Sequence, residues 1–149
     1  MPCPFCEAPP GSETLVADLV ECRVVLSPQQ GCPGWCILIL HEHVEHLDAL
    51  PLNRQNAVFA EVARVARAIR GVFPTHGAGG GPVRINYECL GNQTPHVHWH
   101  VIPRHADDPD PRNAVWSWPA ERLRGDAGPA ARAALAQRIR EALRTTDVR

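Results

Sequence analysis

The chain contains no lysine; all fifteen of its basic residues are arginine. A phosphate-cradling loop that closes on a lysine is thereby excluded, so the glycine-rich stretch at 75–82 reads as plain loop. An excess of either charge is missing too. Fifteen basic residues against 16 acidic ones leave a formal net charge of −1, which argues against a broad nucleic-acid or anionic-membrane surface. Any phosphate-bearing ligand must then be held by local groups. No apolar run approaches the roughly 20 residues needed to span a bilayer, and Met1-Pro2-Cys3-Pro4 lacks the basic and apolar regions of a secretory signal. A cytoplasmic protein with neither a membrane nor a nucleic-acid partner is expected. In that compartment six cysteines read as free thiols or metal ligands and not as a disulfide framework.

What is present suits one compact domain over 1–149, with 44% apolar and 21% charged residues. Residues 15–18 and 20–26 are β-branched and apolar enough for two short strands. A turn-rich connector at 27–34 leads to a continuous apolar run at 35–40, as in a strand covered on both faces. From 52 to 73 the period changes: Val58, Val62, Val65, Ile69 and Val72 recur at helical steps, with Pro51 near the start and Pro74 as the stop. A strand over 83–89 then turns through Gly91 into the next one as a hairpin. Asp107 to Pro111 reads as loop, and Trp116-Ser117-Trp118 is suited to packing over the sheet or across a dimer interface. Leu135, Ile139 and Leu143 mark a C-terminal helix over 129–143. The fold class is α+β: an antiparallel sheet of about five strands with a long amphipathic helix packed on it and a C-terminal helix.

The stretch that carries chemistry is Pro95-His96-Val97-His98-Trp99-His100-Val101-Ile102-Pro103-Arg104. In an extended strand over 96–102 its three imidazoles project to one face at intervals of about 6.6 Å, while Val97, Trp99 and Val101 face a core. Three readings compete for that face. The histidines can be buried and satisfied by hydrogen bonds. They can share a catalytic zinc, although i, i+2 and i+4 residues span about 13 Å. Or a neutral imidazole can attack an electrophile while a neighbour serves the leaving group. Cys3-Pro4-Phe5-Cys6 adds a C-x-x-C spacing that lets two thiolates reach one zinc. His41-Glu42-His43-Val44-Glu45-His46 supplies three further imidazoles after the apolar strand.

His96-Val97-His98-Trp99-His100-Val101-Ile102 resembles the signature of the histidine triad (HIT) nucleotide hydrolases and transferases. The flanks at 90–95 and 103–104 are similar to those of the dinucleoside-polyphosphate hydrolase branch, and the similarity extends over residues 3–116. The resemblance implies a HIT-like fold and a nucleotide phosphoanhydride or phosphoramidate hydrolase, acting on dinucleoside polyphosphates such as diadenosine tetraphosphate. In it His98 attacks the α-phosphate to give a nucleotidyl-histidine, its other ring nitrogen donates to the carbonyl of His96, and His100 donates to the phosphate or leaving oxygen. A histidine at 100, where the uridylyltransferases carry glutamine, favours the hydrolases. Asn86 and Gln93, with Asn92 in the same loop, fall where relatives contact phosphate. Ser27 stands where many relatives bind the ribose through Asn or Asp. A structural zinc on Cys3, Cys6, His43 and His96 is implied, with His46 the competitor for His43 and no organic cofactor. Residues 1–12 would form the zinc knuckle and 117–149 a C-terminal extension, and a homodimer is the assembly implied. Two alternatives stay open: a zinc-dependent hydrolase using the histidine cluster as ligands, and a module that binds a nucleotide without turning it over.

Overall fold

The computed structural model describes residues 2–7, 14–73 and 81–146. Leu15–Asp18 (β1) and Cys22–Leu26 (β2) form a hairpin whose turn is closed by the Leu19 N–H donating to the Cys22 carbonyl. Cys36–Leu40 (β3) pairs with β2, while Pro82–Glu88 (β4) and His98–His105 (β5) form a second hairpin. The latter inserts β5 beside β3, giving an antiparallel sheet in the order β1-β2-β3-β5-β4. The predicted α+β class and hairpin pairing are those observed. Gly91 makes the connection between β4 and β5 with φ +70°, a left-handed conformation that glycine adopts without a Cβ penalty.

One face of the sheet is covered by helices. The long helix Leu52–Val72 (α2) buries Val58, Val62, Val65 and Ile69, and Pro129–Thr146 (α4) buries Ala136, Ile139 and Leu143. They share one core with Val24, Leu38, Val97 and Val101, with Trp99 packed against it. That places Val97, Trp99 and Val101 on the core side, as the alternation predicts. The other face presents Val25, Ile37 and Ile39. Ile37 lies opposite His100 and Ile39 opposite His98, so these two histidines stand on the face that no long helix covers.

Several boundaries differ from those read in sequence. The second strand begins at Cys22 and not at residue 20, because Glu61 of α2, itself buried, accepts the N–H groups of Glu21 (2.9 Å) and Cys22 (3.0 Å) and ties down the turn. Trp35 precedes β3; its N–H closes a turn onto the Cys32 carbonyl. β5 starts at His98 and continues through Pro103 to His105, so the predicted strand over 96–102 is shifted. Proline is tolerated there because β3 pairs only as far as Val101, which leaves Pro103 with β4 as its single neighbour. Cys3-x-x-Cys6, expected as part of a zinc knuckle, leads into a short helix, Pro4–Glu7 (α1). The rest of the predicted knuckle, the helix stop at Pro74 and residues 75–80 of the predicted loop lie outside the described residues.

The segment after β5 folds back across the histidine side of the sheet. Arg104, only 4% exposed, organises it: its guanidinium donates to the Asp108 carboxylate (2.6 Å), the Asn86 side-chain carbonyl (2.9 Å) and the backbone carbonyls of Asn113 (2.8 Å) and Asp110 (2.6 Å). Its flat face lies over Trp118, which packs with Trp35, Ile102, Val115 and Cys32. The loop so fastened carries Trp116 over the sheet. A short helix, Ala120–Arg124 (α3), then docks on the 30–31 backbone, where any Cβ on Gly31 would collide with the Arg122 carbonyl. Removing one partner of a pair this buried leaves an uncompensated charge. Arg104→Ala should therefore lower the unfolding free energy by about 3–5 kcal/mol in urea titration; a loss below about 1 kcal/mol would mean that the segment is held by its apolar contacts alone.

Candidate active site and metal-type cluster

The site begins where the backbone leaves the sheet. The N–H of His96 donates to Thr94 O (2.8 Å) and that of Val97 to Val44 O (2.7 Å), so neither N–H joins the ladder; the Val97 carbonyl accepts from Leu40 N–H of β3 (3.1 Å), while the His96 carbonyl is free to turn. It accepts from His98 Nδ1 at 2.6 Å. A carbonyl is acceptor only, so the proton sits on Nδ1 and the lone pair of His98 is on Nε2. That is the form in which an imidazole can attack an electrophile.

His100 is held the other way round. The indole N–H of Trp35, which is fully buried, donates to His100 Nδ1 at 3.1 Å. An indole nitrogen is donor only, so here the lone pair is on Nδ1 and the proton on Nε2. Burial, with the neighbouring His98 imidazole adding to it, pushes the pKa of His100 down to about 4. The two rings meet edge to face at 5.1 Å. One therefore offers an electron pair and the other a hydrogen-bond donor.

The first histidine serves elsewhere. His96, 1% exposed, donates from Nε2 to the Leu40 carbonyl (2.8 Å) and so turns an unprotonated Nδ1 toward α1. There it stands 3.3 Å from Cys3 Sγ, 3.7 Å from Cys6 Sγ and 3.2 Å from His43 Nδ1, and Cys6 Sγ lies 3.5 Å from His43 Nδ1. A tetrahedron with Zn–S of about 2.3 Å and Zn–N of about 2.05 Å has S···N edges of about 3.6 Å and N···N edges of about 3.3 Å. The four side chains thus fit a tetrahedral metal, and the Leu40 carbonyl supplies the outer hydrogen bond that fixes a ligating imidazole. Burial also lowers the pKa of His96, with His43 and His98 repelling its charged form and the Leu40 carbonyl opposing the shift. Among the described residues this is the one grouping of its kind, and His98 and His100 are outside it. The three triad histidines do not converge on one metal position.

His98 and His100 open into a cleft of about 550 Å³ whose walls include Phe5, Ser27, Ile37, Asn92, Gln93, Thr94, Trp116 and Leu123. The predicted contact residues Asn92, Gln93 and Ser27 are therefore brought to the histidines. Ser27 Oγ accepts the Gln29 N–H (3.1 Å), which leaves its hydroxyl hydrogen as the group it can offer. Asn86 is not brought there. It pairs with Ile102, farther along the same face, and its carbonyl is taken by Arg104, so its position is that of a structural group and not of a phosphate contact. His46 lies on the wall of a different cavity, with Cys89 and Trp99, and His43 is the one that joins the thiols.

Sequence reading missed the aromatic residues around the triad. Phe5 meets His98 edge to face at 5.0 Å, and Trp116 meets His100 at 5.2 Å and Trp35 at 5.3 Å. Trp116 also donates to Glu88, the residue opposite His100 on β4. Each of these contacts joins segments far apart in the chain, and a single apolar residue beside a cysteine or in a loop carries no local sign of it.

The HIT domain model matches residues 11–107. The crystal structure of a histidine triad protein from Sinorhizobium meliloti 1021 is similar with a TM-score of 0.71 at 25% identity, over 85% of this chain and 87% of that one. One from Marinobacter aquaeolei VT8 has a TM-score of 0.71 at 20% identity, with 88% of each chain covered. A zinc-bound histidine triad family protein from Mycobacterium smegmatis has a TM-score of 0.64 at 23% identity, over 97% of this chain and 95% of that one. A search among curated proteins finds no match. With the domain model spanning most of the sequence and its signature histidines at the mouth of the cleft, the chain belongs to the histidine triad (HIT) domain family.

Proposed function

We propose that the protein hydrolyses nucleotide phosphoanhydrides or phosphoramidates through a covalent nucleotidyl-histidine on His98, with dinucleoside polyphosphates of the diadenosine tetraphosphate type as substrates. The observation that carries this reading is the 2.6 Å bond from His98 Nδ1 to the His96 carbonyl, which holds Nε2 as a lone pair toward the cleft. A phosphorus centre carries negative charge around it, so its attacker must be neutral and aimed, and donors must receive the non-bridging oxygens. His98 meets the first condition. His100 Nε2–H and the Gln93 and Asn92 amides supply the second, with no arginine among the described residues that line the cleft. The apolar walls at Phe5, Ile37 and Leu123 suit a base, and Ser27 is the candidate ribose contact. Water then attacks the phosphorus of the intermediate and releases the mononucleotide.

The cluster of Cys3, Cys6, His43 and His96 is read as a structural zinc site, with the protein working in the cytoplasm. When bound, the ion would supply a closed tetrahedral crosslink between the N-terminal helix, the segment after β3 and the first triad residue, with no open position for substrate. A homodimer is supported by exposed apolar groups, Phe59 on α2 and Val83 and Tyr87 on the edge strand β4. Light scattering should give twice the chain mass, and a monomer at micromolar concentration would contradict it.

Two further outcomes follow from the site. His98→Ala should lower the release of mononucleotide from diadenosine tetraphosphate by at least about a thousandfold with the fold intact; turnover at the wild-type rate would remove His98 from the chemistry, and tight binding without turnover by the wild type would favour a binding module. Metal analysis of the purified protein should find one zinc per chain, and Cys6→Ser should lose it and melt lower by ~5 °C or more. A catalytic metal predicts the opposite order, with activity lost on chelation before any change in melting temperature.

A further inference from the structure

The described residues lining the cleft include two titratable side chains, His98 and His100. With His98 as the nucleophile, His100 is the one titratable group left among them to protonate a leaving atom, and its protonation state is set by a residue that does not touch the cleft. Trp35 is buried on the histidine side of the sheet among Ile102, Val115 and Trp118, and its indole N–H points at His100 Nδ1. An imidazolium carries N–H on both nitrogens, so protonating His100 would set one N–H against another and cost the Trp35 bond besides the burial. Other neighbours do not reverse this. Ile37 opposite it on β3 is apolar, His98 on its own strand repels positive charge, and the Glu88 carboxylate opposite it on β4 is engaged by the Trp116 N–H.

We propose that Trp35 is a positioning residue that keeps His100 a neutral, proton-retaining donor, so that the enzyme releases only leaving groups that depart without a proton: phosphate oxygens of nucleotide anhydrides, and not amines. The proposal rests on the His98 reading given above. His98 Nε2 forms a bond to the α-phosphorus, the bond from phosphorus to the bridging oxygen breaks, and its electron pair leaves on the phosphate, which accepts a hydrogen bond from His100 Nε2–H without taking the proton. The imidazolium formed at His98 keeps its Nδ1–H on the His96 carbonyl. Water then adds OH to phosphorus and gives a proton to solvent, and the phosphorus–nitrogen electron pair returns to His98.

Leaving-group chemistry decides the class. A departing phosphate is the base of an acid with pKa of about 6 and needs no proton at neutral pH. An alkylamine that left phosphorus without a proton would depart as an amide anion, the conjugate base of a very weak acid, so its nitrogen must first be protonated, by a donor that the described residues of this cleft do not include. Neutral imidazole N–H is too weak an acid for that task.

The test combines a spectroscopic and a kinetic readout on the full chain. In protein labelled with nitrogen-15 histidine, His100 should show a bare Nδ1 and a protonated Nε2 from pH 8 down to pH 5. Mononucleotide release should be faster from diadenosine tetraphosphate than from the adenosine phosphoramidate of a simple alkylamine by about a hundredfold or more, the contribution expected of one missing general acid. Trp35→Phe should raise the pKa of His100, narrow that ratio by at least about tenfold and give phosphoramidate turnover a limb that falls as pH rises. Where Trp35→Phe does not fold, the two wild-type measurements decide alone. A proton on His100 Nδ1, or a phosphoramidate rate equal to the anhydride rate, overturns the inference while leaving His98 catalysis standing. Release from neither substrate overturns the hydrolase reading and this inference together.

Discussion

One backbone carbonyl, that of His96, sets the arrangement of the whole site. The chain departs from the ladder at 96 and 97, where both N–H groups are committed to loop carbonyls. Had the ladder begun at His96, its carbonyl would have been free to seek a bond to a neighbouring strand, and nothing would fix the His98 tautomer. Because it begins at His98, His96 gives its carbonyl to the His98 ring and its own ring to the cluster with Cys3, Cys6 and His43. The cleft and the cluster are thus joined through a single residue, and Phe5, between the two cysteines, reaches both His96 and His98.

The other wall of the cleft comes from the far end of the sequence. Arg104 fastens the 108–113 segment by three hydrogen bonds, which delivers Trp116 to His100 and Trp118 to the apolar cluster around Trp35. α3 then closes against the 30–31 connector. Neither end makes the cleft alone. The sheet supplies the His98 and His100 imidazoles, α1 supplies one apolar wall, and the segment after β5 supplies the other, so stability of that segment and shape of the site are one problem.

What the sequence makes legible is what repeats or is local. The period-two alternation through 97–101 identifies the core side of β5, and the helical spacing of Val58, Val62, Val65 and Ile69 identifies the buried stripe of α2. The C-x-x-C spacing and the post-strand histidines point to a metal-type grouping, and the choice of His43 over His46 follows the family resemblance. What depends on distant contacts is not legible. Glu61 of α2 carries no local sign that its carboxylate accepts two backbone N–H groups of the β1–β2 turn. Asn86 has the right residue type and the right face to contact a phosphate, but a buried arginine that reads as a flank of the signature takes its carbonyl. Trp35 reads as the first residue of an apolar strand, and its effect on His100 acts across 65 positions in sequence.

The central claim is that a neutral His98 Nε2 forms a bond to phosphorus. Mixing the wild-type protein with diadenosine tetraphosphate labelled at the α-phosphate, quenching in base within one turnover and mapping the labelled peptide tests it directly. The account predicts base-stable label on the peptide carrying residues 96–104, located at His98. Single-turnover release of mononucleotide with no label on the protein at any quench time, or label on another side chain, would contradict it.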